Sequence, residues 1–382
     1  MVLRNVLLVV LGFQTVINLT RPIVTLYADD LGASTFEIGI LTAMYAFFPL
    51  IIAIQAGKIT DKVGDRLPVI FGLIGLIVSM LIPYVFASMW ALYASQLIVG
   101  ASSIFIAVSL QNVLGNTSTD ESRDYYFSMF GLAVASGALI GPVIGGYLVE
   151  HFSYSAGFLV SIGVCMLSLL FALSIPATFK KQSLEKVNLR SSLQLVKNPL
   201  VQKALFSSAL VLYSRDILVA YFPLFGREIG LDASTIGWIL SIQGLAMMVV
   251  RFVLPWLLKR ISREKVLYSS VIVAGISFLF IPVANHVFLF CLLSCLMGFG
   301  LGCGQPISLT TTYNASPKSR TGEVLGIRLT TNRFSQLIAP LFFGMVGTWV
   351  GVASVFLVSG FFLIGGAFFI APRKKRPRLD NE

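Results

Sequence analysis

Of 382 residues, 56% are hydrophobic and 12% charged, about half the charged share of a soluble domain, so most of the chain cannot face water. Apolar runs of about 20 residues recur along it, each long enough to cross a hydrocarbon core of about 30 Å as a helix, which excludes a β-barrel with its alternating strands of about 10 residues. The net charge of +11 raises the question of nucleic acid, and the placement of the basic residues answers it as membrane topology instead.

The apolar runs predict twelve spans, at 5–28, 36–55, 67–86, 90–113, 126–149, 155–176, 204–227, 233–256, 265–284, 287–311, 327–349 and 351–371. The first reads as a span rather than a cleaved leader, because no small-x-small cleavage site follows and the apolar pattern continues past Arg21 to Tyr27. With the N-terminus placed inside, Arg227 is the one basic residue on the outer side, and Arg21, Arg215, Arg251, Arg328 and Arg333 lie within or at the edge of spans. Every other Lys and Arg of the 28 falls on the inner side, which puts both termini in the cytoplasm. Cys165, Cys291, Cys295 and Cys303 fall within spans, without a C-x-x-C pair, and read as small packing residues. His151 and His286 lack a ligand cluster, so no metal, disulfide or cofactor is expected.

A fixed shift of 198 positions carries Leu26 onto Leu224, Gly32 onto Gly230, Ile38-Gly39 onto Ile236-Gly237, Gly100 onto Gly298, Asn116 onto Asn314 and Pro142 onto Pro340. The predicted organisation follows: a six-helix half at 1–176, a basic cytoplasmic linker at 177–203, a second six-helix half at 204–371 and a basic tail at 372–382. Because the shift spans six helices, the halves are parallel repeats, an arrangement that places a substrate site between them near the midplane.

The connection after span 2 reads Gly57-Lys58-Ile59-Thr60-Asp61-Lys62-Val63-Gly64-Asp65-Arg66. Its glycines suit a tight turn, and Asp61 can accept hydrogen bonds from a neighbouring helix or meet a basic side chain, holding one gating state. The pattern resembles the G-x-L-A-D-R-x-G-R-K loop of the major facilitator superfamily, matched at Gly57, Asp61 and Gly64, with Lys62 and Arg66 keeping basic residues. Span 5 carries Gly137-x3-Gly141-Pro142-x2-Gly145-Gly146, similar to the antiporter motif of drug:proton antiporters in that superfamily. Small residues four apart let helix backbones approach, so a close contact between the halves is expected there. Span 4 departs from the proton-coupled members, with Gln96 before Gly100 where they carry an arginine. The resemblance implies an all-α integral membrane protein of twelve spans.

Polar residues buried in such a bundle are the remaining signal. Gln14, Asn18 and Arg21 form one helical stripe in span 1, and Arg328, Asn332 and Gln336 another in span 11. Gln243 and Gln305 add polar groups in spans 8 and 10, and Arg215-Asp216 sits near the centre of span 7. A central charge costs ~2.5–3.5 kcal/mol even on the lenient insertion scale, so these two need partners or function. Adjacent residues do not face each other on a helix, which points Asp216 to another arginine, Arg21 or Arg333. Arg251 and Arg328, near inner ends, are expected to snorkel or to latch. The excess of arginine over acid favours an anionic or zwitterionic solute over a cationic one. The expected function is a proton-coupled antiporter that exports a small organic solute as a monomer in the bacterial cytoplasmic membrane, with Asp216 as the coupling group. An importer of an organic anion and a non-transporting membrane sensor are the alternatives. No nucleophile, metal-ligand spacing or phosphate loop points to an enzyme.

Overall fold

The computed structural model describes residues 2–119, 121–175, 198–315 and 321–371. Among them run twelve long α-helices: α1 (Val2–Asp30), α2 (Thr35–Val63), α3 (Arg66–Val85), α4 (Met89–Thr117), α5 (Arg123–His151), α6 (Tyr154–Ala172), α7 (Pro199–Glu228), α8 (Ala233–Arg260), α9 (Arg263–Phe280), α10 (Val287–Ala315), α11 (Thr321–Val350) and α12 (Val352–Ile370). Eleven are long and apolar enough to cross a membrane; α11, which carries Arg328, Asn332, Arg333 and Gln336, falls outside that set. Most of the predicted linker and the whole tail lie outside the described residues.

Several helices outrun the apolar spans read from the sequence. Hydropathy marks only the part that crosses hydrocarbon, whereas backbone hydrogen bonding continues until a cap or a glycine ends the helix. One consequence corrects the reading of the first inner connection: Gly57 is helical, inside α2, and the turn shrinks to Gly64 and Asp65. Only Gly64, at φ 82 and ψ 164, occupies a conformation that demands glycine.

Packing repeats with an offset of six helices. Helix α1 packs on α5 and α6 as α7 packs on α11 and α12; α4 packs on α2 and α3 as α10 packs on α8 and α9; α3 meets α6 as α9 meets α12. The first six helices touch the last six chiefly through α2 on α11, α5 on α8, and α1 on α7. The helix ends repeat too: α1 and α7 each stop at a left-handed glycine, Gly32 at φ 83 and Gly230 at φ 82. The outer surface is apolar, with Phe71, Phe252, Phe288 and Trp349 standing free, as lipid contact requires. Many buried hydroxyls are satisfied within their own helix, as Thr20 donates to the Val16 carbonyl and Ser161 to that of Gly157.

Candidate functional site

At mid-depth, α1, α7 and α11 bring the predicted polar stripes together. The Arg21 guanidinium donates through Nη1 to Oδ1 of Asp216 at 2.8 Å, with the Asp216 side chain only 3% exposed. The other carboxylate oxygen accepts from Nε2 of Gln336 at 2.7 Å. Arg333 donates to Oε1 of that same glutamine at 3.0 Å, so it reaches Asp216 through an amide rather than by direct contact. Arg215 turns away from its neighbour, as helix geometry dictates, and donates to Oδ1 of Asn18 at 3.2 Å. Asn18 in turn donates to the Gln14 carbonyl at 2.7 Å, and the Tyr45 ring lies 5.0 Å beneath the Arg21 guanidinium. Two of these bonds, Arg21 to Asp216 and Arg215 to Asn18, cross between the first and last six helices. Asn18 and Asp216 occupy the same position of the repeat.

Other predicted residues sit elsewhere. Gln243 and Asn332 are buried, and Nε2 of the first and Oδ1 of the second have no partner among the described residues. Gln96, with Arg21, Thr25 and Thr42, lines a small cavity of about 20 Å³ beside the network, room for about one water. Gln305 belongs to a second cluster, with Ser208, Ser308 and Arg328. There Arg328 is 6% exposed and donates through Nη2 to Oε1 of Gln305 at 2.6 Å. Of the two roles expected of Arg328, this speaks against snorkelling and leaves the latch: its face of α11 meets α7 and α10 instead of lipid.

The span-5 glycines divide between two neighbours. A methyl group at Gly137 would stand 2.6 Å from Cβ of Gln14, at Gly141 2.7 Å from N of Leu19, and at Gly145 2.7 Å from O of Leu19, all on α1. Gly146 and the Pro142 carbonyl reach α8, where they abut Ala233 and Gly237, and the Ala138 carbonyl abuts Gly244 one turn further in. The motif glycines thus serve mainly the packing of α5 on α1, because residues four apart share one face and Gly146 lies about 100° round from Gly145.

The contact of α5 with α8 recurs by the repeat. Gly237 packs on the Pro142 carbonyl, and Gly39 on that of Pro340, which also accepts from the Tyr221 hydroxyl at 2.6 Å. At the same end Arg227 engages Asp30, Asp29 at 3.5 Å and the Tyr154 hydroxyl at 3.0 Å. The Phe36 amide donates to Thr348 and the Ala233 amide to Glu150. Asp30, Glu150, Tyr154, Arg227 and Asp232 border a cavity of about 570 Å³ there. Sequence reading passed over Arg227 as a partner. The available signal was that Asp29 and Arg227 are related by the repeat shift and carry opposite charges. At the opposite end α5 has no buried residue among the described positions from Tyr125 to Val134. The bundle is thus closed at the Asp30 end.

In the α2–α3 turn, Asp65 is buried and accepts from Nδ2 of Asn116 at 3.5 Å, tying the turn to α4. Lys62 is exposed and Arg66 partly so; the Asp61 side chain lies outside the described part. Among the described residues no three of His, Cys, Asp and Glu gather as metal ligands.

The family model for the Major Facilitator Superfamily matches residues 6–226 and 204–382. The chain belongs to the major facilitator superfamily. It is a multi-pass transporter of the cytoplasmic membrane and not an enzyme. Quinolone resistance protein NorA of Staphylococcus aureus is 25% identical, over 99% of this chain and 97% of its own length. Multidrug resistance protein MdtG of Klebsiella pneumoniae is 23% identical, over 95% and 91%. Among solved structures, a nucleoside transporter, NupG, superposes with a TM-score of 0.83 at 13% identity, covering 97% of this chain and 99% of that one. A likeness at that identity speaks for the fold alone.

Proposed function

We propose that this transporter is a proton-coupled antiporter that exports a small anionic or zwitterionic organic solute, as a monomer with both termini in the cytoplasm. On this reading twelve spans form two six-helix halves, at 1–176 and 204–371, joined by the linker 177–203. The Asp30 end faces outward because the inner side collects the Lys and Arg residues, and the closed seam there makes the conformation inward-facing.

The observation that carries the reading is Asp216, a carboxylate buried mid-helix and clamped by Arg21 from the other half. Protonation of Asp216 removes the charge that holds Arg21. Arg21 then becomes free to meet a solute anion, and the bond that joins α1 to α7 is lost as the halves rock. Arg215, Arg333 and Gln336 surround the acid, so the site carries more positive than negative charge. An arginine fork in a low-dielectric cavity suits a carboxylate or phosphate. The relatives named for drug and quinolone resistance support export.

The test is transport in proteoliposomes with an imposed pH gradient, comparing anionic, zwitterionic and cationic solutes. Asp216→Asn is expected to keep solute exchange and lose coupled proton movement. Stoichiometric proton movement in that variant sinks the coupling assignment.

A further inference from the structure

Arg328 is a buried cation that meets no carboxylate among the described residues. Its Nε donates to the Ser308 hydroxyl at 3.3 Å, and its Nη2 to Oε1 of Gln305 at 2.6 Å and to the Gln305 carbonyl at 3.3 Å. All three acceptors are neutral. Arg21, by contrast, has its charge met by Asp216.

The acceptors are themselves locked. Ser308 gives its own proton to the Ala204 carbonyl at 2.5 Å, so its lone pairs are left to face Arg328. Gln305 donates through Nε2 to the Ser208 carbonyl at 3.0 Å, which fixes the direction of its Oε1. One edge of the guanidinium is thus pinned to α10, while Nη1 meets no partner among the described residues and is not fully enclosed. A fork held by neutral oxygens, charge uncompensated and one nitrogen open, is preorganised for an anion.

The fold does not require this cluster. Shifted by the repeat, Ser208, Gln305, Ser308 and Arg328 fall on Val10, Ala107, Leu110 and Phe130 in the first half, all apolar. The same packing is therefore built there without a buried charge.

We propose that Arg328, held by Gln305 and Ser308, is an anion-recognition site that takes one carboxylate or phosphate oxygen on Nη1, apart from the Asp216 network. Two sources carry such a group: the transported solute, in which case the site rests on the anionic-solute reading above, and an anionic lipid headgroup.

The experiment uses the full chain in phosphatidylcholine nanodiscs, with inorganic phosphate as the probe and thermal unfolding as the readout. Phosphate is expected to stabilise the wild type saturably. Gln305→Glu supplies an internal carboxylate to the guanidinium, so it is expected to fold and to weaken phosphate binding about tenfold or more, the loss of one charge-assisted hydrogen bond. Arg328→Gln is expected to lose the response, and Lys259→Gln, exposed at the end of α8, to keep it. No saturable response in the wild type, or an undiminished one in both Gln305→Glu and Arg328→Gln, overturns the site. Phosphatidylglycerol nanodiscs separate the sources: stabilisation by that lipid, competed by phosphate and lost in Gln305→Glu, assigns the headgroup, whereas phosphate binding unchanged by the lipid assigns a solute. Phosphate binding without transport of any anion in vesicles retires the proposed substrate class and leaves the site. Anion transport with neither response retires the site alone.

Discussion

Gly237→Ala tests whether the seam at the Asp30 end is a gate. Its new methyl would overlap the Pro142 carbonyl of α5, backbone that cannot move aside without shifting the helix. Such overpacking costs about 1–3 kcal/mol. On the proposed alternating-access reading α5 and α8 part when that end opens, so the cost falls on one conformation and shifts the closed-to-open ratio by about 5–150-fold. Gly141→Ala supplies the control: its methyl presses on Leu19 and Thr15 of α1, within the same six helices. That contact persists in both conformations, so stability falls and the balance does not. Spin labels at the exposed Ser155 and His286, on a chain stripped of its cysteines, report the separation of the two sets at this end by pulsed electron resonance. A longer-distance population is expected in Gly237→Ala and not in Gly141→Ala. An unchanged distribution in a folded Gly237→Ala variant, or equal shifts in both, refutes the assignment of this seam as the moving one.

Three further outcomes are expected. Arg21→Gln strips the salt bridge from a 3% exposed Asp216 side chain and costs about 3–5 kcal/mol, whereas adding Asp216→Asn restores much of the loss; thermal unfolding of the single and double variants measures both. Arg227→Gln removes a latch between partly exposed side chains, 36% and 45% accessible for Arg227 and Asp30, so stability changes by about 0.2–1 kcal/mol or less while the spin-label separation increases; an unmoved separation shows that the latch holds nothing. Gly64→Ala, at φ 82, is expected to destabilise by about 1–3 kcal/mol, whereas Gly57→Ala, helical with open space around it, is expected to be neutral or to stabilise by up to about 1 kcal/mol; equal unfolding midpoints contradict the reassignment of the turn.

How much of this was legible depended on which physical quantity carried the signal. Asp216 stood out because a mid-helix carboxylate is costly whatever surrounds it, and its separation from Arg215 followed from helix geometry alone. Arg21 was named as a partner on the same reasoning. Arg333 was named with equal right but reaches Asp216 through Gln336, since the rotation of α11 about its axis decides which residue of a stripe arrives first. For Arg328 the sequence left snorkelling and a latch open for a similar reason: snorkelling needs a lipid-facing position, and its face is set by packing against α7 and α10. Gly57 matched a loop motif while continuing a helix, because glycine permits a turn without imposing one.

The repeat separates two kinds of position. Where the gate closes, the halves stay alike: Gly39 meets Pro340 as Gly237 meets Pro142, since each contact needs only a missing side chain on one helix and a carbonyl on the other. Near α1 and α7, equivalent residues come close to one another, and identity there is costly when the residue is charged, because like charges confront each other at short range. The chain has diverged at those points. Asn18 is the repeat counterpart of Asp216 and accepts from Arg215, and Asp29 is matched by Arg227. With a neutral counterpart, Asp216 has its charge met by Arg21 from the other half, so this bond between halves exists only because the repeats differ. On the proposed reading the coupling acid therefore lies where the duplication has lost its symmetry, and the glycine-to-carbonyl contacts of the seam lie where it has kept it.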